Sequence, residues 1–335
     1  MSPRGRGFER SRLRRVDHPP ELEALESGRL HRFAWSIARM ADGAEVSLPV
    51  IVLAGRAARP RLVAVAGVHG DEHEGPAALL EAARRIDPAT LAGRVVIVPV
   101  ANPPAFRANA RRNPIDGVDL NRVFPGDPSG SISSRIAHQL MTGVVPGSDL
   151  LISIHGWTTG SLTVPYCEYP RHSSVAGVSR AAAFAMGLPY CEGLDWLPGR
   201  LMTNAAEAGT PAIEAEVGGE GITLPERRAV ALAGVMRLLD HLGILRDPQD
   251  GAGSGVAPVD VRRTTLAAPV GGALLRHVEL GEVVRAGSRV ATISDLSGVR
   301  LASVYAAEGG VVAMLRHAGS VEPGDAVAAV FTPLA

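Results

Sequence analysis

The segment LVAVAGVHGDEHEG (62–75) places His69, Asp71, Glu72, His73 and Glu74 directly behind an apolar run. Imidazoles and carboxylates at that density suit a divalent ion that activates water. A catalytic zinc takes about three N, O or S ligands from the protein and leaves one position open. His69 and Glu72, three residues apart, can reach one ion from a turn. A third ligand has to come from elsewhere in the chain. His155, at the end of SDLLISIHG (148–156), is the candidate, because a strand end is a rigid mount. His69 and His73 would also suit a pair on one helical face. Pro76 fits the first turn of the helix that follows, which leaves the cluster in a loop where either pairing can reach an ion. His73 is read as a support behind the ligands or a surface residue.

A second block, NPPAFRANARRNPIDGVDLNRVFPG (102–126), is polar, turn-rich and without periodicity. Loop arginines are most often simply solvated. The adjacent Asn121 and Arg122 could instead form a fork for a carboxylate, which a guanidinium binds through two parallel hydrogen bonds.

These residues need elements to hold them. AEVSLPVIVLAG (44–55), RLVAVAGV (61–68), GRVVIVPVANP (93–103), SDLLISIHG (148–156) and TPAIEAEVGG (210–219) read as strands. GPAALLEAARRI (75–86), SSRIAHQLMTGVV (133–145), SSVAGVSRAAAFAMG (173–187) and LPERRAVALAGVMRLLDHLGI (224–244) read as helices. The alternation predicts an α/β fold over 44–246: a mixed, largely parallel sheet with helices on both faces. Ligands collect at the carboxyl ends of such strands. His69, His155 and Glu216 all fall there.

RDPQDGAGSGVAPVD lacks periodicity and reads as a linker over 247–260. Short strands with recurring glycine turns follow, so 261–335 is expected to be a small all-β unit. Its phrases APVGGAL, GEVVRAGSRVATI and EPGDAVAAV resemble the barrel-sandwich fold of biotinyl and lipoyl carrier domains. The carrier function does not follow, because the chain contains no lysine to modify. The same absence excludes Schiff-base and Walker-type lysine chemistry.

Formal net charge is zero, so no global field argues for nucleic acid or a membrane surface. No apolar run reaches the roughly 20 residues of a membrane span. Residues 1–43 are read as an Arg-rich leader plus first elements, and no apolar stretch behind it suggests a secretory signal. Two cysteines, Cys167 and Cys191, are too few for a disulfide framework, so a reducing cytoplasm is expected.

Together, GVHGDEHEG, NPPAF, RRNPIDGVDLNRVFPG, a later strand-end histidine and PAIEAEVGG resemble the succinylglutamate desuccinylase/aspartoacylase family of the zinc carboxypeptidase-like group, in order over about 45–245. The resemblance implies one Zn2+ per chain held by His69, Glu72 and His155. It implies that Glu216 is the general base and that Arg111 stabilises the oxyanion. Asn121 and Arg122 would hold a substrate carboxylate. Glu214 shares a strand face with Glu216, and only the Gly-Gly after Glu216 favours the latter. Where the family has an acid two residues before the second histidine ligand, this chain has Ser153, which could still accept a hydrogen bond. Tyr305 is the one tyrosine in the C-terminal unit able to match the family's substrate-contacting tyrosine; Tyr166 and Tyr190 read as packing.

Three functions compete. The first is an amidohydrolase that deacylates a small N-acylated substrate bearing a carboxylate, with a homo-oligomer possible and no nucleic-acid or membrane partner. The second is a metallocarboxypeptidase acting on peptides or peptidoglycan fragments. The third is a non-catalytic binding or carrier protein.

Overall fold

The structure, a computed structural model, describes residues 13–245, 255 and 257–334. The expected leader therefore falls mostly outside the described residues, as does much of the expected linker. Strands β1 (Arg14–Val16), β2 (Arg29–Arg39), β3 (Glu45–Ala54) and β4 (Arg61–Ala66) precede helix α1 (Glu74–Arg85). Strand β5 (Arg94–Val98), α2 (Pro103–Ala108), α3 (Ile132–Gln139), β6 (Leu150–His155) and β7 (Ser161–Pro170) come next. Then follow α4 (Ala176–Ala185), β8 (Tyr190–Leu194), α5 (Leu201–Glu207), β9 (Ala212–Gly219) and α6 (Pro225–His241). The C-terminal strands are β10 (Val259–Ala267), β11 (Gly272–Arg276), β12 (Val283–Val284), β13 (Arg289–Ser294), β14 (Arg300–Tyr305), β15 (Gly310–Arg316), β16 (Ser320–Val321) and β17 (Ala326–Pro333).

Strands β4 and β5 are buried at every residue, because helices cover both faces of the sheet. Residues from α1, α4 and α6 pack with Leu62, Ile97, Ile152 and Ile213 on one face. Ile136 of α3 and Leu201 of α5 pack with Val63, Val96 and Leu151 on the other.

The main sheet runs β1-β2-β3-β5-β4-β6-β9-β7-β8-β10-β17-β15-β12. It is mixed, as expected, with parallel pairing at its centre and antiparallel pairing where β3 and β7 join it. The central parallel run is β5-β4-β6-β9. On one side β3 meets β5 antiparallel and pairs with β2 across a short turn, a connection that only antiparallel strands allow. On the other side β7 returns antiparallel to β9.

Strand β15 also pairs with β7, so β7-β8-β10-β17-β15 closes into a small barrel. In place of a self-contained sandwich, three C-terminal strands thus share a barrel with two strands from the middle of the chain. Tyr166, Val261, Ala313 and Phe331 fill it. The remaining strands β14-β13-β11-β16 form a second sheet over a core of Leu266, Val290, Ile293 and Val327. Among the described residues, no helix is long and apolar enough to cross a membrane.

Candidate metal centre and cleft

Three parallel strand ends build the floor of a cleft. Beyond β4 the chain turns through Gly67–His73 before α1 begins. Gly70 is required in that turn, since a Cβ there would lie 2.0 Å from the Ala105 carbonyl carbon. The turn delivers His69 and Glu72, both buried. Strand β6 ends on His155, whose register partner on β9 is Glu216.

His69, Glu72 and His155 each offer a ligand atom, and these atoms lie within 4.8 Å of one another. His69 Nδ1 is 2.6 Å from Glu72 Oε1, and His155 Nδ1 is 2.9 Å from Glu72 Oε2. The two Nδ1 atoms are 3.3 Å apart. A tetrahedron with metal–nitrogen bonds near 2.0–2.1 Å has an edge of about 3.3 Å. Donor types and imidazole spacing therefore fit zinc.

The surroundings are strongly charged. Burial disfavours a charged His69, yet Glu72 and Asp119 outweigh it and its pKa is pushed up to about 9. His155 is likewise raised, with Glu214 and Glu72 overcoming burial. Glu72, though buried, is held well below the usual carboxylate range by both histidines. Glu216 is pushed well above that range by burial.

A cleft of about 320 Å³ opens over these groups, and His69, Glu72, Arg111, Asn121, Arg122 and Glu216 all line it. His155 lies beneath, against Glu72. Arg111 Nη1 is 3.6 Å from Glu72 Oε1, beside the ligand cluster. The Asn121 side-chain oxygen accepts from the Leu201 backbone N–H at 2.9 Å, which leaves its NH2 group as a donor. Arg122 donates through Nη1 to the Asn121 carbonyl at 2.7 Å.

Other residues fall elsewhere. His73 caps α1, lies 2.6 Å from Asn109 Oδ1 and packs on Phe106; it does not line the cleft. Tyr305 is exposed on β14 and also does not line it. Tyr166 is buried in the barrel, and Tyr190 packs against Phe331. The Ser153 hydroxyl is buried with no hydrogen-bond partner, so the bond it could have made is not formed.

Four groups at the site carry no sequence signal of their own. Asp119 accepts a hydrogen bond from His69 Nε2. Asp71 accepts from Thr158 Oγ1 at 2.6 Å and from the Thr159 N–H at 3.0 Å, which ties the loop after His155 to the turn that carries His69. Arg200 is paired with Glu168 and Glu214. Arg263, from β10, reaches Glu168 at 3.2 Å and Glu192 at 3.3 Å and lines the cleft. Asp71 and Asp119 stood inside segments already singled out; Arg200 and Arg263 did not.

The Gly-Gly after Glu216 has a steric reason. Gly218 has φ +83°, and a Cβ there would approach Glu74 Oε1 to 2.3 Å. Its carbonyl accepts from the Trp157 N–H at 3.2 Å, so this turn and the loop after His155 pack directly together.

A family model described as the succinylglutamate desuccinylase/aspartoacylase catalytic domain matches residues 58–242. An N-alpha-acetyl-L-2,4-diaminobutyric acid deacetylase from Halomonas elongata is 31% identical over 293 residues, 85% of each chain. The product-bound ectoine utilization protein EutE (DoeB) from Ruegeria pomeroyi superposes with a TM-score of 0.84 at 28% identity, covering 92% of this chain and 98% of that one. A succinylglutamate desuccinylase from a Silicibacter species gives 0.84 at 27% identity, covering 94% and 98%.

Proposed function

This chain belongs to the succinylglutamate desuccinylase/aspartoacylase family, and from that membership we propose that it uses one zinc ion to hydrolyse the acyl amide of a small N-acylated amino acid. It is a deacylating amide hydrolase, as its close relatives are. An N-acetylated diamino acid is the first substrate to try, given the name of the Halomonas relative.

The observation that carries the reading is the convergence of His69, Glu72, Arg111 and Glu216 on one cleft of about 320 Å³, with His155 beneath it against Glu72. That volume is at the lower end for small-molecule sites, which favours a small amide over a peptide. His69, Glu72 and His155 would hold the zinc. When bound, zinc supplies Lewis-acid polarisation and makes water more acidic.

The chain's own groups do the rest. Glu216 takes a proton from the attacking water and returns it to the departing amine nitrogen as the C–N bond breaks. Arg111 lies beside the ligands and donates to the oxyanion that forms on the acyl carbon. The Arg122 guanidinium and the Asn121 NH2 group grip the amino acid carboxylate, which aligns the amide over the metal ligands. The two cysteines are free and buried, which suits the reducing cytoplasm proposed for this chain.

The test is hydrolysis by zinc-loaded protein of two panels, read by mass spectrometry. One holds N-acetyl, N-succinyl and longer N-acyl amino acids, including Nα-acetyl diamino acids. The other holds short peptides with free C-termini. Release of acyl acid from the first panel alone supports the proposal and names the acyl group. Trimming of C-terminal residues from the second would overturn it in favour of a carboxypeptidase.

A further inference from the structure

We propose that Glu214 is the carboxylate that orients His155, carried on the strand next to the one that bears the histidine. The inference rests on His155 being a metal ligand through Nδ1. A ligating imidazole nearly always donates its other ring N–H to a carboxylate, a carbonyl or water, and that bond fixes its tautomer and tilt. For His69 the partner is plain, since Nε2 donates to Asp119. For His155 it is not.

His155 Nε2 is buried without a hydrogen-bond partner, and so is Glu214 Oε2. The two atoms are 3.6 Å apart, within a few tenths of an ångström of bonding range. Two buried polar atoms facing each other with no other partner form a pair in waiting, because buried polar groups are almost always hydrogen-bonded. Glu214 is also anchored. Arg200 Nη2 holds its Oε1 and a Glu168 oxygen, which leaves Oε2 for the histidine.

The register explains why the acid can sit there. Ser153 on β6 pairs with Glu214 on β9, and His155 pairs with Glu216. Paired residues in a parallel ladder leave the sheet on the same face. Two residues along and one strand across is about 8 Å between Cα atoms. A serine at 153 is too short to reach the ring, and its hydroxyl is left without a partner. A glutamate at 214 has the length to cross the diagonal. Glu214 is therefore a positioning residue, distinct from the proton carrier at 216.

The test uses full-length protein with zinc alone as the probe, and affinity is read by competition with a chromophoric chelator. Glu214→Gln is expected to weaken zinc binding about 10- to 100-fold. Adding Ser153→Asp in the same chain is expected to restore most of it, by supplying a carboxylate from His155's own strand. Arg200→Met serves as the control for a purely structural role. If Ser153→Asp fails to restore binding, or if Arg200→Met alone reproduces the whole loss, Glu214 acts only through Arg200 and the inference falls. If Glu214→Gln binds zinc like the parent while Glu72→Ala does not, the inference falls and the metal centre stands. If Glu72→Ala also binds like the parent, the metal reading itself has failed. Proton NMR of the unaltered zinc protein gives a readout that no folding defect can obscure. A ring N–H of His155 shifted to low field by a carboxylate acceptor is expected, and a solvent-exchanged, unshifted one would overturn the assignment.

Discussion

Asp119 Oδ1 accepts a hydrogen bond from His69 Nε2 at 3.0 Å, across 50 residues of chain, while its other oxygen accepts from Arg111 Nε at 3.1 Å. One carboxylate thereby aligns a candidate ligand imidazole with the cation beside it. Its acidity is strengthened to match, since His69 and Arg111 outweigh burial and hold it below the usual carboxylate range. Asp119→Asn keeps the shape and removes the charge. It is expected to lower zinc affinity about 10- to 100-fold, measured by chelator competition. Unchanged affinity would show that the His69 tautomer needs no carboxylate behind it.

Glu216 and Glu214 part company in the structure although they share a strand face. Both line the cleft and both have a buried Oε2 with no hydrogen-bond partner, but Glu214 is engaged through its other oxygen by Arg200. Glu216→Gln is expected to retain one zinc per chain by elemental analysis and to lose turnover about 10²- to 10⁴-fold. Near-full activity in this variant would move the proton-transfer role to another group.

Arg263 is the charge that the C-terminal strands contribute to the cleft. Its removal in Arg263→Met would leave Glu192 without the arginine it pairs with and leave Glu168 only Arg200. Breaking a buried pair by deleting one partner costs about 3–5 kcal/mol. Chemical denaturation should show a loss of that order. A loss under about 1 kcal/mol would mean that Arg263 is not what satisfies Glu192.

Glu192 carries a pH signature. Burial outweighs the pull of Arg263 and raises its carboxyl to about 7. In the unfolded chain it titrates near 4.5, so between these values the folded state holds the extra proton. Stability from this group is greatest at low pH and falls as pH rises towards about 7. Glu192→Gln lacks the titration. The melting temperature of the variant relative to the parent should therefore climb between pH 5 and pH 7 and level off above. A difference that does not change with pH would refute the assignment.

The parts of the site that the sequence made legible are those on continuous signals. The runs before His69 and His155 are apolar but for Ser153, because both faces of β4 and β6 are covered, so their ends could be located. Glu216 was visible by its strand, and the reason for its glycines became clear only once Glu74 was seen against Gly218. What escaped is the rest of the wall. Strand β7, SLTVPYCEYP, contains Pro165 and ends on Pro170, which hides a strand from pattern reading. β8, YCEGL, is too short to show a period. Glu168, Glu192 and Arg263 lie on β7, β8 and β10, and the pairing of these three strands, far apart in sequence, brings them together. Glu214 was in view from the start, but which carboxylate faced which imidazole depended on the register between β6 and β9.

The closed barrel also sets an order of events. Thr163 on β7 bonds to the Ala313 carbonyl on β15 across 150 residues of chain. During synthesis β4, β6 and β9, whose ends carry the candidate ligands and Glu216, emerge and can pair long before β15 and β17 exist. Pairings that span so much chain form late, because their loop entropy is met before any contact repays it. A nascent chain can therefore bring His69, Glu72 and His155 together before the barrel that includes the Arg263 strand closes. Until β15 pairs with β7, the barrel that carries Glu168, Glu192 and Arg263 stays open on one side.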